Sequence, residues 1–227
     1  MLDYVAPQRC IYCDQPSYLP EALCGVCQDA LCPNDDGCPH CALPNQSGAL
    51  CPTCLTQPAP PVGITAAYVY DDAMAYFMQR WKYLGEQRLS LTAAKVMLKA
   101  PISFKNIDFL LPTPLHWQRQ LRRGFNQSAD LLHALASLDR SIALPPAKNI
   151  RISRSRRTDS QAKATRRERL KNLRGAFTVH GDVRGCTVGI VDDVCTTGAT
   201  GNAMATALLE AGATRVHLYC LARTPAP

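Results

Sequence analysis

Residues 187 to 200 read TVGIVDDVCTTGAT. An apolar run stops on two carboxylates, Asp192 and Asp193, and is followed by Thr196, Thr197, Gly198, Ala199 and Thr200. Adjacent carboxylates at the mouth of a buried element are costly to desolvate unless something uses them. The backbone N–H groups of a turn leading into a helix N-terminus cradle an anion. Glycine lets the anion approach closely, and threonine hydroxyls add donors. Carboxylates suit sugar hydroxyls or Mg2+, not phosphate itself. A sugar phosphate with vicinal hydroxyls would satisfy both halves. The plainer alternative is a strand end plus an N-capped helix, since Asp and Thr are common as caps. That accounts for the acid pair better than for the whole run. Neither the GxxxxGK(S/T) phosphate loop nor the GxGxxG dinucleotide turn is present.

A second chemistry is set out by cysteines. The chain has 12, nine of them before residue 60. Eight form CxxC pairs: Cys10 with Cys13, Cys24 with Cys27, Cys38 with Cys41, and Cys51 with Cys54. The pairs are separated by 10, 10 and 9 residues. Each pair forms a tight knuckle offering two thiolates to one tetrahedral ion, and two knuckles complete a site. Four pairs therefore imply two structural Zn2+ ions in two zinc ribbons. Sequential pairing closes the shorter loops and costs less chain entropy. An interleaved arrangement is the alternative, and iron–sulfur ligation suits four regular knuckles less well. With so few large apolar residues, this front segment needs metal to supply its folding energy. Cys32 and His40 fall outside the ligand pattern and read as ordinary loop residues.

The elements that must position these groups follow from periodicity. Residues 64–70 read as a strand, 107–115 as a short buried strand that runs into a proline-punctuated loop, and 149–153 as a candidate strand. The run 187–193 reads as a central parallel strand buried on both faces, and 216–222 as its neighbour. Helices are expected over 73–84, 88–99, 126–138 and 200–211. Met74, Phe77, Met78 and Trp81 share one face of the first, as a core stripe does. Leu131, Leu132 and Leu135 point inward from the third. Strand, helix, strand in this order implies a doubly wound α/β sheet. Its ligands bind at the carboxyl ends of the strands, where Asp192 and Asp193 are expected. Proline-rich residues 56–62 mark a boundary, giving a double zinc ribbon over 1–60 and a second domain over 61–227.

Charge is segregated across that boundary. Up to residue 60 there is one basic residue (Arg9) against six acids; beyond it, 24 basic residues face 12 acids. Residues 151–174 alone hold ten Arg or Lys and two acids. A solvated face is the plain reading of such a run. Two others compete with it: neutralising a ligand's pyrophosphate, and gripping a nucleic-acid backbone. Phe125 and Phe177 are candidates for base stacking. The first residues contain an early acid and no apolar stretch of signal-peptide type, so a cytoplasmic protein without membrane insertion is expected.

VGIVDDVCTTGAT resembles the 13-residue signature of type I phosphoribosyltransferases, which bind phosphoribosyl pyrophosphate. LPTPLHWQRQLRRGFNQSADLL and RTDSQAKATRRERLKNLRGAF, with the cysteine-rich front, extend the likeness. Together they resemble the ComF family, including its GntX-type members, over nearly the whole chain. Members are associated with DNA uptake in natural transformation and with the use of external DNA. The resemblance implies the mostly parallel sheet of the type I phosphoribosyltransferase kind. Asp192 and Asp193 match the acidic pair that contacts the ribose 2′- and 3′-hydroxyls, directly or through Mg2+. Thr196 to Thr200 match the 5′-phosphate loop. Pro112, Thr113, Pro114 and Leu115 stand at the pyrophosphate loop. Arg151, Arg154, Arg156, Arg166, Arg167 and Arg169 stand where transferases carry a mobile hood. Cys195 occupies a variable position of the loop. The expectation is a protein that binds phosphoribosyl pyrophosphate with Mg2+ and handles incoming single-stranded DNA beside uptake-machinery proteins. The alternative is a nucleic-acid-binding adaptor whose sugar-phosphate site is regulatory or vestigial. No acceptor base, and hence no turnover, can be read from the residues.

Overall fold

The computed structural model describes residues 8–17, 22–45, 47–56, 61–83, 88–115, 124–147, 149–154 and 175–226. The front carries a two-residue antiparallel pair, β1 (Gln8–Arg9) and β2 (Pro16–Ser17), and two single-turn helices, α1 (Gly25–Asp29) and α2 (Pro52–Thr56). Then follow β3 (Gly63–Val69), α3 (Asp72–Tyr83), α4 (Leu89–Lys99), β4 (Phe109–Pro112) and α5 (Gln127–Leu138). The antiparallel pair β5 (Arg151–Arg154) and β6 (Phe177–His180) comes next. Last are β7 (Thr187–Cys195), α6 (Ala199–Glu210) and β8 (Arg215–Arg223).

Four strands form one parallel sheet in the order β3, β8, β7, β4. The two most continuously apolar strands take its centre, as strands buried on both faces must. Their side chains alternate between two cores. Val188, Ile190, Val216, Leu218 and Cys220 pack against α6 and the β5–β6 pair. Val191, Tyr219 and Leu221 pack with residues of α3, α4 and α5. Helices on both faces make the fold doubly wound, as expected. Met74, Phe77, Met78 and Trp81 are each at most 2% exposed, so the α3 stripe is core.

The front segment does not stand apart. Ile11, Leu23 and Leu31 join the α3–α4 core. Tyr12 Oη donates to the Ala73 carbonyl at 2.6 Å, and Ala22 N–H donates to Thr92 Oγ1 at 3.0 Å. Residues 32–40 run along β3. Asn34 N–H donates to Ala67 O at 3.0 Å, Val69 N–H to Cys32 O at 2.9 Å, and Ile64 N–H to His40 O at 2.9 Å. The open side of an edge strand is thereby occupied by the zinc-ribbon segment.

His217 on β8 is partly buried between strands, with Nε2 2.8 Å from Thr65 Oγ1. Burial, then nearby His40, holds its imidazole down at about 4. An unfolded histidine titrates near ~6.5. Between those values the unfolded state binds the extra proton, so stability falls as pH falls. The expected loss from pH 7 to pH 4.5 is about 2 kcal/mol larger for the wild type than for His217→Gln, measured by urea unfolding. Parallel pH curves would show that His217 is not the group responsible.

Candidate functional site

β7 runs two residues past the expected end at Asp193, to Cys195, so Asp192 and Asp193 lie half-buried inside the strand near its carboxyl end. Asp192 Oδ1 accepts from Ser128 Oγ and from Asp193 N–H, both at 2.9 Å. Asp193 Oδ1 accepts from Val194 N–H at 2.6 Å. Its other oxygen meets Lys82 Nζ of α3 at 2.6 Å, with the two side chains only 14% and 18% exposed. Burial, and after it the Asp193 charge, pushes the Asp192 carboxyl up to about 7. The Ser128 hydroxyl, the Asp193 N–H and the Lys82 charge offset only part of that rise. A carboxylate this reluctant to ionise, beside one already holding a cation, is primed for added positive charge or hydroxyl donors.

The turn after β7 enters α6 through Gly198, whose φ of +74° is the left-handed conformation that glycine adopts without strain. A Cβ there would also lie 3.2 Å from Ile64 Cδ1. One turn later, a Cβ on Gly201 would stand 2.7 Å from Leu218 Cδ2, so α6 lies close on β8. Thr197 Oγ1 accepts from Ala199 N–H at 3.4 Å, Thr196 is exposed, and Thr200 is half-buried in the first turn of the helix. The threonine turn and the start of α6 thus stand together at the carboxyl end of β7. Gly198→Ala is expected to cost about 1–2 kcal/mol, read as a lower urea midpoint. An unchanged midpoint would show that the turn relaxes to accept a side chain.

The end of β4 abuts the acid pair. Thr113 N–H donates to Val191 O at 2.9 Å. Asn126 caps α5, its Oδ1 accepting from Ser128 N–H at 3.1 Å, while its Nδ2 donates to Thr113 O at 3.1 Å. The start of one helix therefore fixes both Asp192, through Ser128, and the loop of Pro112, Thr113, Pro114 and Leu115. Thr113 is 6% exposed, and its hydroxyl meets no partner among the described residues. An orphaned buried hydroxyl just past the end of the strand next to β7 fits a site made for a bound polar group. A cavity of about 260 Å3 adjoins this loop, lined by Pro112, Pro114, Asn126, Leu144, Arg151 and Ile152 among others.

Sequence reasoning did not single out Lys82, Asn126 or Ser128. Asn126 followed two residues later by Ser128 at a helix start is an N-cap pattern that points to both. Nothing local marks Lys82, which reaches Asp193 only through the packing of α3.

Of the basic hood residues, Arg151 is exposed and Arg154 is half-buried on β5. Arg156, Arg166, Arg167 and Arg169 lie outside the described residues. The base-stacking candidates are corrected: Phe125 and Phe177 are 8% and 7% exposed, so neither ring faces solvent. Phe177 carries the Arg154 guanidinium 5.6 Å from its ring centre.

Both expected cysteine sites are formed, with sequential pairing. Cys10, Cys13, Cys24 and Cys27 form one cluster and Cys38, Cys41, Cys51 and Cys54 the other. Within each cluster the Sγ atoms lie within 4.8 Å of one another, as four ligands of one tetrahedral ion require. The two are built alike. Burial raises the Cys10 thiol, but N–H groups of Cys13, Cys24 and Tyr12 outweigh it and bring it to about 6. Burial raises Cys38 likewise, and N–H groups of Cys51, Cys41 and His40 bring it to about 6. These knuckle amides favour the thiolate that zinc needs. Cys32 is exposed and outside both clusters.

The double zinc ribbon domain model matches residues 1–55, and the phosphoribosyl transferase domain model matches residues 133–227. The chain is 32% identical over 227 residues to DNA utilization protein YhgH of Salmonella typhimurium, covering 96% of this chain and 98% of that one. It is 31% identical over 226 residues to DNA utilization protein YhgH of Escherichia coli strain K12, covering 96% and 98%. It is 30% identical over 226 residues to Competence protein F of Haemophilus influenzae, covering 95% and 96%. A double zinc ribbon joined to a phosphoribosyltransferase-type sheet, shared end to end with these relatives, makes the chain a member of the ComF family.

Proposed function

We propose that this protein binds phosphoribosyl pyrophosphate with Mg2+ and acts in the uptake and use of DNA, handling incoming single-stranded DNA. One observation carries the first half. A paired carboxylate, a helix start opened by a left-handed glycine, and a loop with an orphaned buried hydroxyl meet at the carboxyl edge of one sheet. Asp192 and Asp193 would hold the ribose hydroxyls, and the N–H groups from Thr196 to Thr200 the 5′-phosphate. Residues 112–115 would meet the pyrophosphate, with Arg151 and Arg154 at the base of the hood. The donor set suits Mg2+: Asp192 and Asp193 would help hold the ion, which would supply positive charge against the phosphates. Lys82 would then release Asp193 as the ligand enters, its long side chain swinging aside. Pyrophosphate leaving the anomeric carbon develops positive charge on the ribose, which the nearby carboxylates stabilise. In a transferase an acceptor base would form the new bond to that carbon as the bond to pyrophosphate breaks.

The second half is supported by the printed names of relatives, which concern DNA utilization and competence. It is also supported by the 24 basic residues beyond residue 60. The protein would work in the cytoplasm beside DNA-uptake proteins, with the two zinc ribbons as structural supports.

Calorimetry of phosphoribosyl pyrophosphate with and without Mg2+ tests the site: Mg2+-dependent binding is expected, and no heat in either condition would refute it. Pyrophosphate release in a screen of nucleobases would identify a transferase. Binding without release would favour the adaptor reading, with the sugar phosphate as a signal. A single-stranded oligonucleotide should bind with affinity falling steeply with salt. Replacing Arg166, Arg167 and Arg169 should flatten that slope, and an unchanged slope would place the DNA contact elsewhere.

A further inference from the structure

Arg223, the last residue of β8, is 5% exposed, and among the described residues no acidic side chain pairs with it. A buried guanidinium without a carboxylate must place its donors on carbonyls or remain costly. Here they converge from two parts of the chain. Nε donates to the carbonyl of Cys41, a ligand residue of the second cysteine cluster, at 3.0 Å. Nη1 donates to the carbonyl of Cys195 at 3.1 Å and also to that of Thr196. The same nitrogen meets Thr224 O at 3.2 Å. The backbone supports this arrangement: Thr224 N–H donates to Cys195 O at 3.1 Å, and Tyr70 N–H donates to Arg223 O at 2.8 Å.

Peptide planarity gives these contacts a consequence for the phosphate cradle. The described peptides are trans, so each carbonyl and the N–H of the next residue point in opposite directions. With Cys195 O and Thr196 O turned onto Arg223, the N–H groups of Thr196 and Thr197 are turned away from it. Neither amide donates to a partner among the described residues. If the two carbonyls turned outward instead, they would present negative ends to a phosphate.

We infer that Arg223 is a positioning residue which orients the phosphate-facing amides of Thr196 and Thr197 and ties the second cysteine cluster to them through Cys41. The inference rests on the sugar-phosphate reading of this loop. It gives the second ribbon a task that the first does not share: holding one end of the strut that shapes the loop. Coupling of this kind is reciprocal, so sugar phosphate bound in the loop stabilises the second zinc site as much as that zinc favours the sugar phosphate.

Arg223→Lys keeps the charge but has no planar fork to reach carbonyls in two segments. In the full zinc-loaded chain it should weaken phosphoribosyl pyrophosphate and ribose 5-phosphate alike, about ten- to a hundredfold by calorimetry, the range for charge-assisted hydrogen bonds. Zinc content, measured alongside, should stay at two ions per chain. Equal affinities in wild type and variant would overturn the inference while leaving the site reading intact, and no binding by the wild type would sink the site reading itself. A second measurement needs no variant. Saturating phosphoribosyl pyrophosphate should slow chelator capture of one of the two zinc ions in the wild type and leave the other unchanged. Identical release of both ions with and without the ligand would contradict the coupling.

Discussion

Replacing Asp192 and Asp193 together by alanine is expected to weaken phosphoribosyl pyrophosphate binding at least ~100-fold, since two hydrogen bonds to charged groups contribute about 3–6 kcal/mol. The two positions should differ sharply in what they do to the empty protein. Asp193 is paired with Lys82 and hydrogen-bonded to Val194 N–H, so its loss leaves a half-buried ammonium without its partner. Asp192 is the reverse case. Its folded-state carboxyl stands near 7, above the ~3.9 of an unfolded aspartate. A group raised in this way contributes stability at low pH that is lost as pH rises through the folded value. At pH 7.5 Asp192 therefore weighs against the fold. Asp192→Asn, which keeps the acceptor for Ser128, should stabilise the ligand-free chain by about 1–2 kcal/mol at pH 7.5 and have little effect at pH 4. It should still bind phosphoribosyl pyrophosphate more weakly. A variant both less stable and normal in binding would mean that Asp192 is a structural carboxylate.

Removing the zinc ions should have the largest effect on stability. Structural zinc in small ribbons contributes about 10–16 kcal/mol of apparent binding energy. In this fold the loss cannot stay local. Leu23 and Ile11 lie in the same core as Trp81 and Phe77, and residues 32–40 cover the edge of β3. Cys24→Ser should leave one zinc per chain by metal analysis and lower the melting temperature by 10 °C or more, about 2–4 °C accompanying each kcal/mol in a domain of this size. A single zinc in the untouched wild type would contradict the two-site reading. An unchanged melting temperature in Cys24→Ser would show that the first ribbon folds without its ion.

The parts of this molecule legible in sequence are those governed by local rules. Period-two and unbroken apolar runs marked β3, β7 and β8, and the 3.6-residue stripe marked α3. Fixed CxxC spacing marked every cysteine ligand. The sequence left the pairing of knuckles open because chain entropy favours one arrangement without forbidding the other. The acid pair and the threonine loop were visible because chemistry and backbone geometry coincide in one short run. What surrounds them was not. Lys82, Ser128 and Arg223 reach the site from α3, α5 and β8, and no spacing rule connects residues brought together by packing. Phe125 and Phe177 misled for the same reason: an aromatic ring in a basic neighbourhood stacks on bases only if the fold leaves it exposed, and here the cores take both. The front segment looked self-contained because its few apolar residues cannot make a core of their own. Those residues instead complete the core beneath α3 and α4.

The central claim is that the carboxyl end of β7 holds one phosphorylated pentose, and a crystal structure of the zinc-loaded protein with ribose 5-phosphate tests it most directly. The account predicts the phosphate on the amides between Thr196 and Thr200, with the ribose hydroxyls on Asp192 and Asp193 and Lys82 moved off its partner. Sugar phosphate seated on the basic segment, with the Lys82–Asp193 pair still closed, would contradict it.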